Sequence, residues 1–202
     1  MNTEIEQFTQ GVFNMTSRRF GSFAEILVTK IYPSMKLSHS SSYDIEIEDK
    51  YFADGKARVE CKFARAYELP NQKLKPENVY EQVMRSQTSN YERSIKCPSA
   101  CVYEGLQIPS IENECKFDCI FEQVKPKDFD YLLFGIFFRD RLVIFLAKNS
   151  DIYSIPGYCN KQHRNSVDEG QFHITEKNFH KFWNEFMPQM YTYEQIIKKL
   201  QC

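Results

Sequence analysis

Two neighbouring segments of this chain alternate between apolar and polar side chains. Residues 43–47 (YDIEI) alternate with a period of two, and residues 56–65 (KARVECKFAR) do so again after the turn signal Asp54-Gly55. Because successive side chains of a strand point to opposite faces, this pattern predicts a β-hairpin. On its second strand, one face carries Arg58, Glu60 and Lys62, and Cys61 turns into the core.

The rest of the chain divides into segments with helical and strand patterns. Apolar residues recur at helical spacing over 20–31, where Pro33 ends the pattern, and over 5–13. A third, less regular helix is predicted within 76–95. The remaining predicted elements are strands at 129–138 and 142–147, a helix at 176–187 with Thr175 as N-cap, and a helix at 193–200, where Thr192 and Gln195 have capping-box spacing.

These elements predict an α/β domain with a central mixed β-sheet flanked by helices. A chain of 202 residues is long enough for one compact domain, and its length does not require a second. We therefore expect a single domain over 1–202, with a core at about 17–148 and a C-terminal part at 149–202.

The charge of the chain is nearly balanced. Its net charge of −1 argues against a protein that coats nucleic acid without specificity, because such proteins usually carry a strong positive excess. Residues 51–100 nevertheless contain nine bases and six acids, which is compatible either with a local cationic surface or with an ordinary mixed solvated face.

The sequence favours an intracellular, cytoplasmic protein with no membrane segment. The longest apolar stretch is interrupted at residues 139–141 (RDR), and the N-terminus has no basic start followed by an apolar run. Seven cysteines are an odd number, which favours free thiols or metal ligands over a disulfide framework.

Four residues on three predicted elements have the chemistry of a site for a hard divalent cation. The helix at 20–31 carries Glu25, the first strand of the hairpin carries Asp44, and the second carries Glu60 and Lys62 on one face. Mg²⁺ prefers a few carboxylate oxygens while keeping several waters, and a nearby lysine can orient an attacking water or stabilise phosphate charge.

This arrangement resembles the PD-(D/E)XK nuclease superfamily, whose pattern is an acid, a hairpin, then acid, any residue and lysine. Here the pattern is Asp44, the hairpin, and residues 60–62 (ECK), with Tyr43 where the superfamily name has proline. Residues 19–25 (RFGSFAE) also look like the Arg-x-Gly-Ser-x-x-Glu start of archaeal Holliday junction resolvases within that superfamily. By this resemblance, Glu25 would be a further metal ligand, directly or through water.

The resemblance implies a restriction-endonuclease-like core and Mg²⁺-dependent hydrolysis of double-stranded DNA to 5′-phosphate and 3′-hydroxyl ends, with Mn²⁺ able to substitute. The substantial part of the chain beyond the catalytic core favours a sequence-specific type II restriction endonuclease, which would commonly act as a homodimer. The alternatives are a structure-selective repair or recombination nuclease, such as a junction resolvase, and a catalytically inactive DNA-binding module of the same fold.

Several polar residues are candidates for contacting DNA. Gln82, on the helix within 76–95, could contact the backbone or orient the water, or could be an ordinary exposed side chain. A loop over 161–173 concentrates side chains that can read base edges, although polar loops commonly contain such residues without touching DNA. The candidates in this loop are Gln162, His163, Arg164, Asn165 and Gln171.

Two further groups of residues, an acid–lysine pattern and a set of cysteines, suggest other sites. Asp118 with residues 123–125 (QVK) is a competing acid–lysine pattern, because some members of the superfamily replace the second acid. Two matched cysteine pairs could hold a structural Zn²⁺, although zinc ribbons more often place two residues between paired cysteines and buried thiols behave as small apolar groups. The four cysteines are Cys97, Cys101, Cys115 and Cys119.

Overall fold

The computed structural model of the chain describes residues 3–52, 55–67, 75–86, 88–96, 100, 116–161 and 168–202. The helices in these ranges are α1 (Thr3–Asn14), α2 (Ser17–Ile31), α3 (Val79–Ser86), α4 (Asn90–Ser94), α5 (Phe179–Phe186) and α6 (Tyr193–Gln201). The strands are β1 (Met35–Leu37), β2 (Ile45–Glu48), β3 (Lys56–Arg65), β4 (Asp118–Val124), β5 (Tyr131–Phe137), β6 (Arg141–Lys148), β7 (Gly170–Thr175) and β8 (Gln189–Thr192). Across these same ranges, no helix combines the length and the apolar character that a membrane span needs.

Within the described part of the chain, the central sheet has six strands in the order β1-β2-β3-β5-β6-β8. β3 and β5 run parallel, and the other neighbouring pairs of this sheet are antiparallel. β4 and β7 pair separately as an antiparallel ribbon. The fold is therefore α/β with a mixed sheet flanked by helices, as the sequence predicts.

One apolar cluster packs α1, α2 and α6 against one face of the sheet. Leu27 of α2 and Ile196 of α6 lie in it together with Val59 of β3 and Leu133 of β5, all of them buried. The apolar residues of α2 recur every three or four positions, so they form one stripe that faces the sheet. This packing fixes α2, the helix that carries Glu25, against the sheet that carries the other candidate residues.

A second apolar cluster covers the opposite face with β4, β7 and α5. Phe134 of β5 stacks on Phe145 of β6 with ring centroids 5.0 Å apart, and Phe121 of β4 stacks on Phe172 of β7 at 4.9 Å. Phe182 of α5 contacts the edge of the Phe134 ring. Because both faces of β5 and β6 are covered, these strands are almost continuously apolar.

Gly135 of β5 leaves room for the side chain of Phe63 on β3. A Cβ atom at position 135 would be 2.6 Å from Cε1 of Phe63 and 2.9 Å from the carbonyl oxygen of Val143. The Phe63 ring therefore occupies the space above Gly135, its partner in the parallel register. Phe63, which follows Lys62, is thereby packed, partly buried, against the cluster formed with α1, α2 and α6.

The structure confirms the predicted hairpin of β2 and β3, the hairpin of β5 and β6, and the helices α1, α2 and α6. Thr192 and Gln195 form the expected capping box at the start of α6. The helix predicted within 76–95 is confirmed as α3, but α3 ends at Ser86, and Ser89 starts a separate helix, α4, with its own capping box. The helix predicted at 176–187 begins later, at Phe179, with Asn178 and not Thr175 as its N-cap.

Candidate active site

The candidate site lies where β2 and β3 separate. Their antiparallel ladder ends at the pair Ile45 and Val59, and beyond it β3 continues beside β5 alone. The backbone N–H of Cys61 has no strand partner on the side of β2, and it donates a hydrogen bond of 2.9 Å to Oδ2 of Asp44. A side-chain carboxylate thus replaces the missing strand at this fork, and Asp44 is held beside β3.

Glu60 and Lys62 lie on β3 just past the fork. The Nζ atom of Lys62 is 2.7 Å from Oε1 of Glu60, and their side chains are 23% and 13% exposed. Cys61, between them, is buried in the cluster formed with α1, α2 and α6. The two charged side chains therefore leave the strand together, on the face opposite Cys61.

Glu25 approaches the same place from α2. Its carboxylate is half-buried, and its Oε1 lies 4.0 Å from the position that a Cβ atom would take at Gly21, one turn earlier in the helix. Its charge interacts with those of Asp44, Glu60 and Lys62. The structure thus brings the four residues of the candidate site into one electrostatic cluster: Glu25 from α2, Glu60 and Lys62 from β3, and Asp44 from the position just before β2 and not within it as predicted.

The cluster contains more negative than positive charge. Burial raises the pKa of Glu25, and the nearby carboxylates of Asp44 and Glu60 raise it further. Burial also raises the pKa of Glu60, which Lys62 lowers and Asp44 raises. Three carboxylates face one ammonium here, so a cation would relieve both the desolvation and the repulsion between like charges.

The carboxylate oxygens of this cluster suit a hard divalent cation, although the side chains do not surround a common point. In the described part of the chain, no three Asp, Glu, His or Cys side chains form a group that could hold a metal ion. Oε1 of Glu60 is paired with Lys62, whereas Oδ1 of Asp44 has no hydrogen-bond partner among the described residues. Carboxylate oxygens are the ligands that Mg²⁺ takes from proteins. Shared coordination would require the side chains of Glu25 and Glu60 to turn toward Asp44.

Two charged residues near Glu60 were not part of the predicted cluster. The charge of Asp128 raises the pKa of Glu60. The pKa of Lys125 is raised, mainly by its hydrogen bond to Glu169 and also by Glu60. Both residues lie at the turn that leads into β5, and only the parallel pairing of β3 with β5 brings this turn to the site. No local pattern in the sequence signals that pairing.

The competing acid–lysine arrangement is wrong. Asp118 is the first residue of β4 and Lys125 follows its last, so an extended strand separates them by about 20 Å. The Asp118 carboxylate instead accepts a hydrogen bond of 2.8 Å from Nδ1 of His173 on β7. Asp118 and Lys125 therefore lie at opposite ends of β4 and do not form one site.

The candidate DNA-reading residues are only partly described. Gln162, His163, Arg164 and Asn165 lie outside the described residues, and so does the side chain of Gln82, whose backbone is in α3. Gln171 is not in a loop: it lies on β7, and its backbone exchanges two hydrogen bonds of 2.8 Å with Cys159. Residues 170–173 are therefore part of a strand and not of a loop, and the DNA-contacting roles of all six candidates, Gln171 included, stay predictions.

The zinc prediction rests on cysteines that are mostly outside the described residues. Cys97, Cys101 and Cys115 are among these, while Cys119 lies buried on β4 in the cluster of Phe121 and Phe172. Burial raises the pKa of the Cys119 thiol well above its usual range. An apolar setting of this kind disfavours the thiolate that zinc binds.

No family model, curated protein or solved structure matches this chain at a significant level. Its function is therefore inferred from the chemistry of its own residues.

Proposed function

We propose that this chain is a Mg²⁺-dependent DNA endonuclease with a restriction-endonuclease-like core and a catalytic centre formed by Glu25, Asp44, Glu60 and Lys62. The observation that carries the proposal is the cluster at the fork between β2 and β3. There, a partly buried acid is in contact with a lysine two residues away on the same strand, and two more carboxylates lie within electrostatic range.

Each of these residues has a role that follows from its position. A Mg²⁺ ion held by the carboxylates of Asp44, Glu60 and Glu25 would act as a Lewis acid on a phosphoryl oxygen. The Cys61 N–H holds Asp44 in place, so one carboxylate is oriented before any ligand arrives. Lys62 would donate a hydrogen bond to the attacking water or to the phosphate. The water oxygen would bond to phosphorus as the bond to the 3′ oxygen breaks; the water gives up one proton and the 3′ oxygen takes one up from solvent, which leaves a 5′-phosphate and a 3′-hydroxyl.

The narrower proposal is a sequence-specific type II restriction endonuclease that acts as a homodimer on double-stranded DNA. The net charge of −1 favours it over a structure-selective nuclease, because binding to branched DNA depends strongly on phosphate contacts. A pocket beside the site, described below, favours a substrate with an unpaired nucleotide and so keeps the structure-selective nuclease as the second candidate.

Incubation of the purified protein with plasmid DNA and, separately, with a four-way junction tests the proposal in the presence of Mg²⁺. Discrete plasmid fragments are expected from a restriction enzyme, and cutting of the junction alone from a structure-selective nuclease. Absence of cutting on both substrates would contradict the nuclease and leave a DNA-binding module.

Substitutions at the centre test the assignment of residues. Glu60→Ala and Lys62→Ala should each abolish cleavage while the protein still unfolds cooperatively. Lys56→Ala is the matched control, because Lys56 pairs with Glu46 near the other end of the same hairpin, 2.7 Å away and outside the cluster. Undiminished cleavage by a variant at Glu60 or Lys62 would refute the proposed centre.

A further inference from the structure

A pocket of about 460 Å³ lies at the end of the sheet where β3 and β5 begin and β6 ends. Its volume is within the range of roughly 300–1,000 Å³ that is usual for small-ligand sites. We call it the lysine–aromatic pocket, and its lining includes Phe52, Arg58, Lys127, Tyr131, Lys148 and Asn149.

The lysine–aromatic pocket lies next to the candidate active site. Arg58 and Glu60 are two residues apart on β3, so both point to the same face and their Cα atoms are about 7 Å apart. The turn Pro126–Asp128 gives Lys127 to the pocket, while the charge of Asp128 acts on Glu60. A strand of nucleic acid cut at Glu60 would therefore pass the mouth of this pocket.

The charges around the pocket favour an anion. Arg58 and Asp130 neutralise each other through a pair of hydrogen bonds of 3.0 and 2.9 Å. Lys127 is 3.6 Å from Asp168, and both side chains are more than 60% exposed, so solvent screens this contact. Lys148 has no ion-pair partner among the described residues. Two ammonium groups are thus available to a phosphate.

The aromatic side chains favour a base. The rings of Phe52 and Tyr131 meet edge to face, with centroids 6.4 Å apart, and both side chains are partly exposed at the pocket. Aromatic rings beside cationic groups are the features with which proteins bind single-stranded nucleic acid. Bases within a duplex already stack on one another, so only an unpaired base can reach such rings.

We infer that the lysine–aromatic pocket binds one unpaired nucleotide of a DNA strand, with its base against Phe52 and Tyr131 and its phosphate beside Lys127 and Lys148. The inference rests on the proposed function in taking DNA as the ligand, and it deepens the structure-selective form of that function. It selects substrates with a bulge, gap or frayed end near the phosphate that is cut.

The test is fluorescence anisotropy with a labelled blunt duplex and with the same duplex carrying one bulged nucleotide, both in EDTA so that no cutting occurs. We expect the bulged duplex to bind about tenfold more tightly, which is what one stacked base commonly contributes. Phe52→Leu should remove most of this preference and Phe52→Trp should retain it. Lys148→Ala should weaken binding of the bulged duplex more than that of the blunt duplex.

Two matched controls separate the pocket from general surface effects. Tyr51→Leu removes a neighbouring aromatic ring that is 84% exposed and outside the pocket, and Lys36→Ala removes a lysine on the edge strand β1. Neither should change the preference. Equal binding of the two duplexes, or an equal loss in the controls, would overturn the inference.

The same proteins assayed for cleavage with Mg²⁺ keep the two proposals distinguishable. A preference for the bulged duplex without cleavage would support the pocket and contradict the nuclease. Cleavage by a protein without that preference would support the nuclease and contradict the pocket.

Discussion

The carboxylate of Asp44 accepts the hydrogen bond of the Cys61 N–H at 2.9 Å, just beyond the last ladder pair of β2 and β3. This contact has two effects, one on backbone hydrogen bonding and one on the local charge. It supplies the acceptor that a continued strand would have supplied, and it places a negative charge beside Glu60 and Glu25. Substitutions can separate the two effects.

Replacing Asp44 by alanine should destabilise the protein more than replacing it by asparagine. Asp44→Ala leaves the Cys61 N–H without its acceptor, which costs about 1–3 kcal/mol, whereas the amide oxygen of Asp44→Asn can still accept the bond. The free energy of unfolding in urea measures the difference. Equal losses in the two variants would mean that the charge of Asp44, and not its acceptor oxygen, stabilises the fork.

Replacing Glu25 by glutamine should stabilise the protein above neutral pH and not at pH 4. Burial and two neighbouring carboxylates raise the pKa of Glu25 in the folded state, so the folded protein holds this proton more tightly than the unfolded chain. Stability therefore falls as the pH rises from the ordinary pKa through the raised one, and glutamine removes that loss.

Urea denaturation at pH 4 and pH 8 checks this expectation. Glu122→Gln, at an exposed position on β4, is the control and should have little effect at either pH. A gain from Glu25→Gln that is the same at both pH values would show that ionisation is not its cause.

Asp130 should contribute stability that disappears in acid. Its carboxylate accepts hydrogen bonds from the side chain and the backbone N–H of Arg58, and the side-chain bond is the main reason why its pKa is lowered. The stabilisation is present above the ordinary pKa and is lost as the pH falls through the lower, folded value. Asp130→Asn should cost about 1.5–3 kcal/mol at pH 7 and less at pH 3. Acid titrations of both proteins, followed by circular dichroism, measure this, and a constant difference across the titration would exclude the mechanism.

Arg65 should stabilise the corner between α1 and α2. Its Nη1 atom donates to the carbonyl oxygens of Val12, Phe13 and Met15, and its guanidinium lies 4.5 Å from the centre of the Phe20 ring. We expect Arg65→Met to cost about 2–3 kcal/mol, since it leaves partly buried carbonyl groups without a donor.

Arg65→Lys tests whether the shape of the guanidinium matters. Lysine keeps the charge but not the planar group that stacks on Phe20, so it should restore only part of the stability. Arg18→Met, at an exposed position of α2, is the control for loss of an arginine. Full stability in Arg65→Lys would show that charge alone is sufficient.

The elements that the sequence predicts well are those with local signals. The period-two pattern and the Asp-Gly turn identify β2 and β3, and the capping box at Thr192 identifies the start of α6. The start of α5 was missed by a few residues because the Asn178 side chain accepts the Thr175 N–H and closes a turn before the helix. The sequence predicts a loop at 170–173 because Gln171 and His173 are polar, whereas in the structure these residues alternate with the buried Phe172 on β7.

The features that the sequence does not predict depend on the pairing of strands that are far apart in the chain. The parallel contact of β3 with β5 joins segments about seventy residues apart, with Glu60 opposite Leu132, and no short pattern specifies it. The sequence therefore pointed to Asp44, Glu60 and Lys62 through the hairpin, but it gave no sign of Asp128. The ion pair of Lys62 with Glu60 was also not anticipated, because a spacing of two on a strand places side chains on one face without saying whether they touch.

The ion pair between Lys62 and Glu60 has a consequence for how the proposed enzyme would be activated. While Lys62 holds Oε1 of Glu60, the protein carries an internal counterion that competes with any incoming metal. Under the proposed function, a divalent cation held by Glu60 would compete with Lys62 for this carboxylate, and Lys62 would then be able to donate a hydrogen bond to a phosphate. Binding of the cation and release of the Lys62 ammonium would then occur together. Without Mg²⁺, Lys62 would stay paired with Glu60 and would be unable to contact the phosphate.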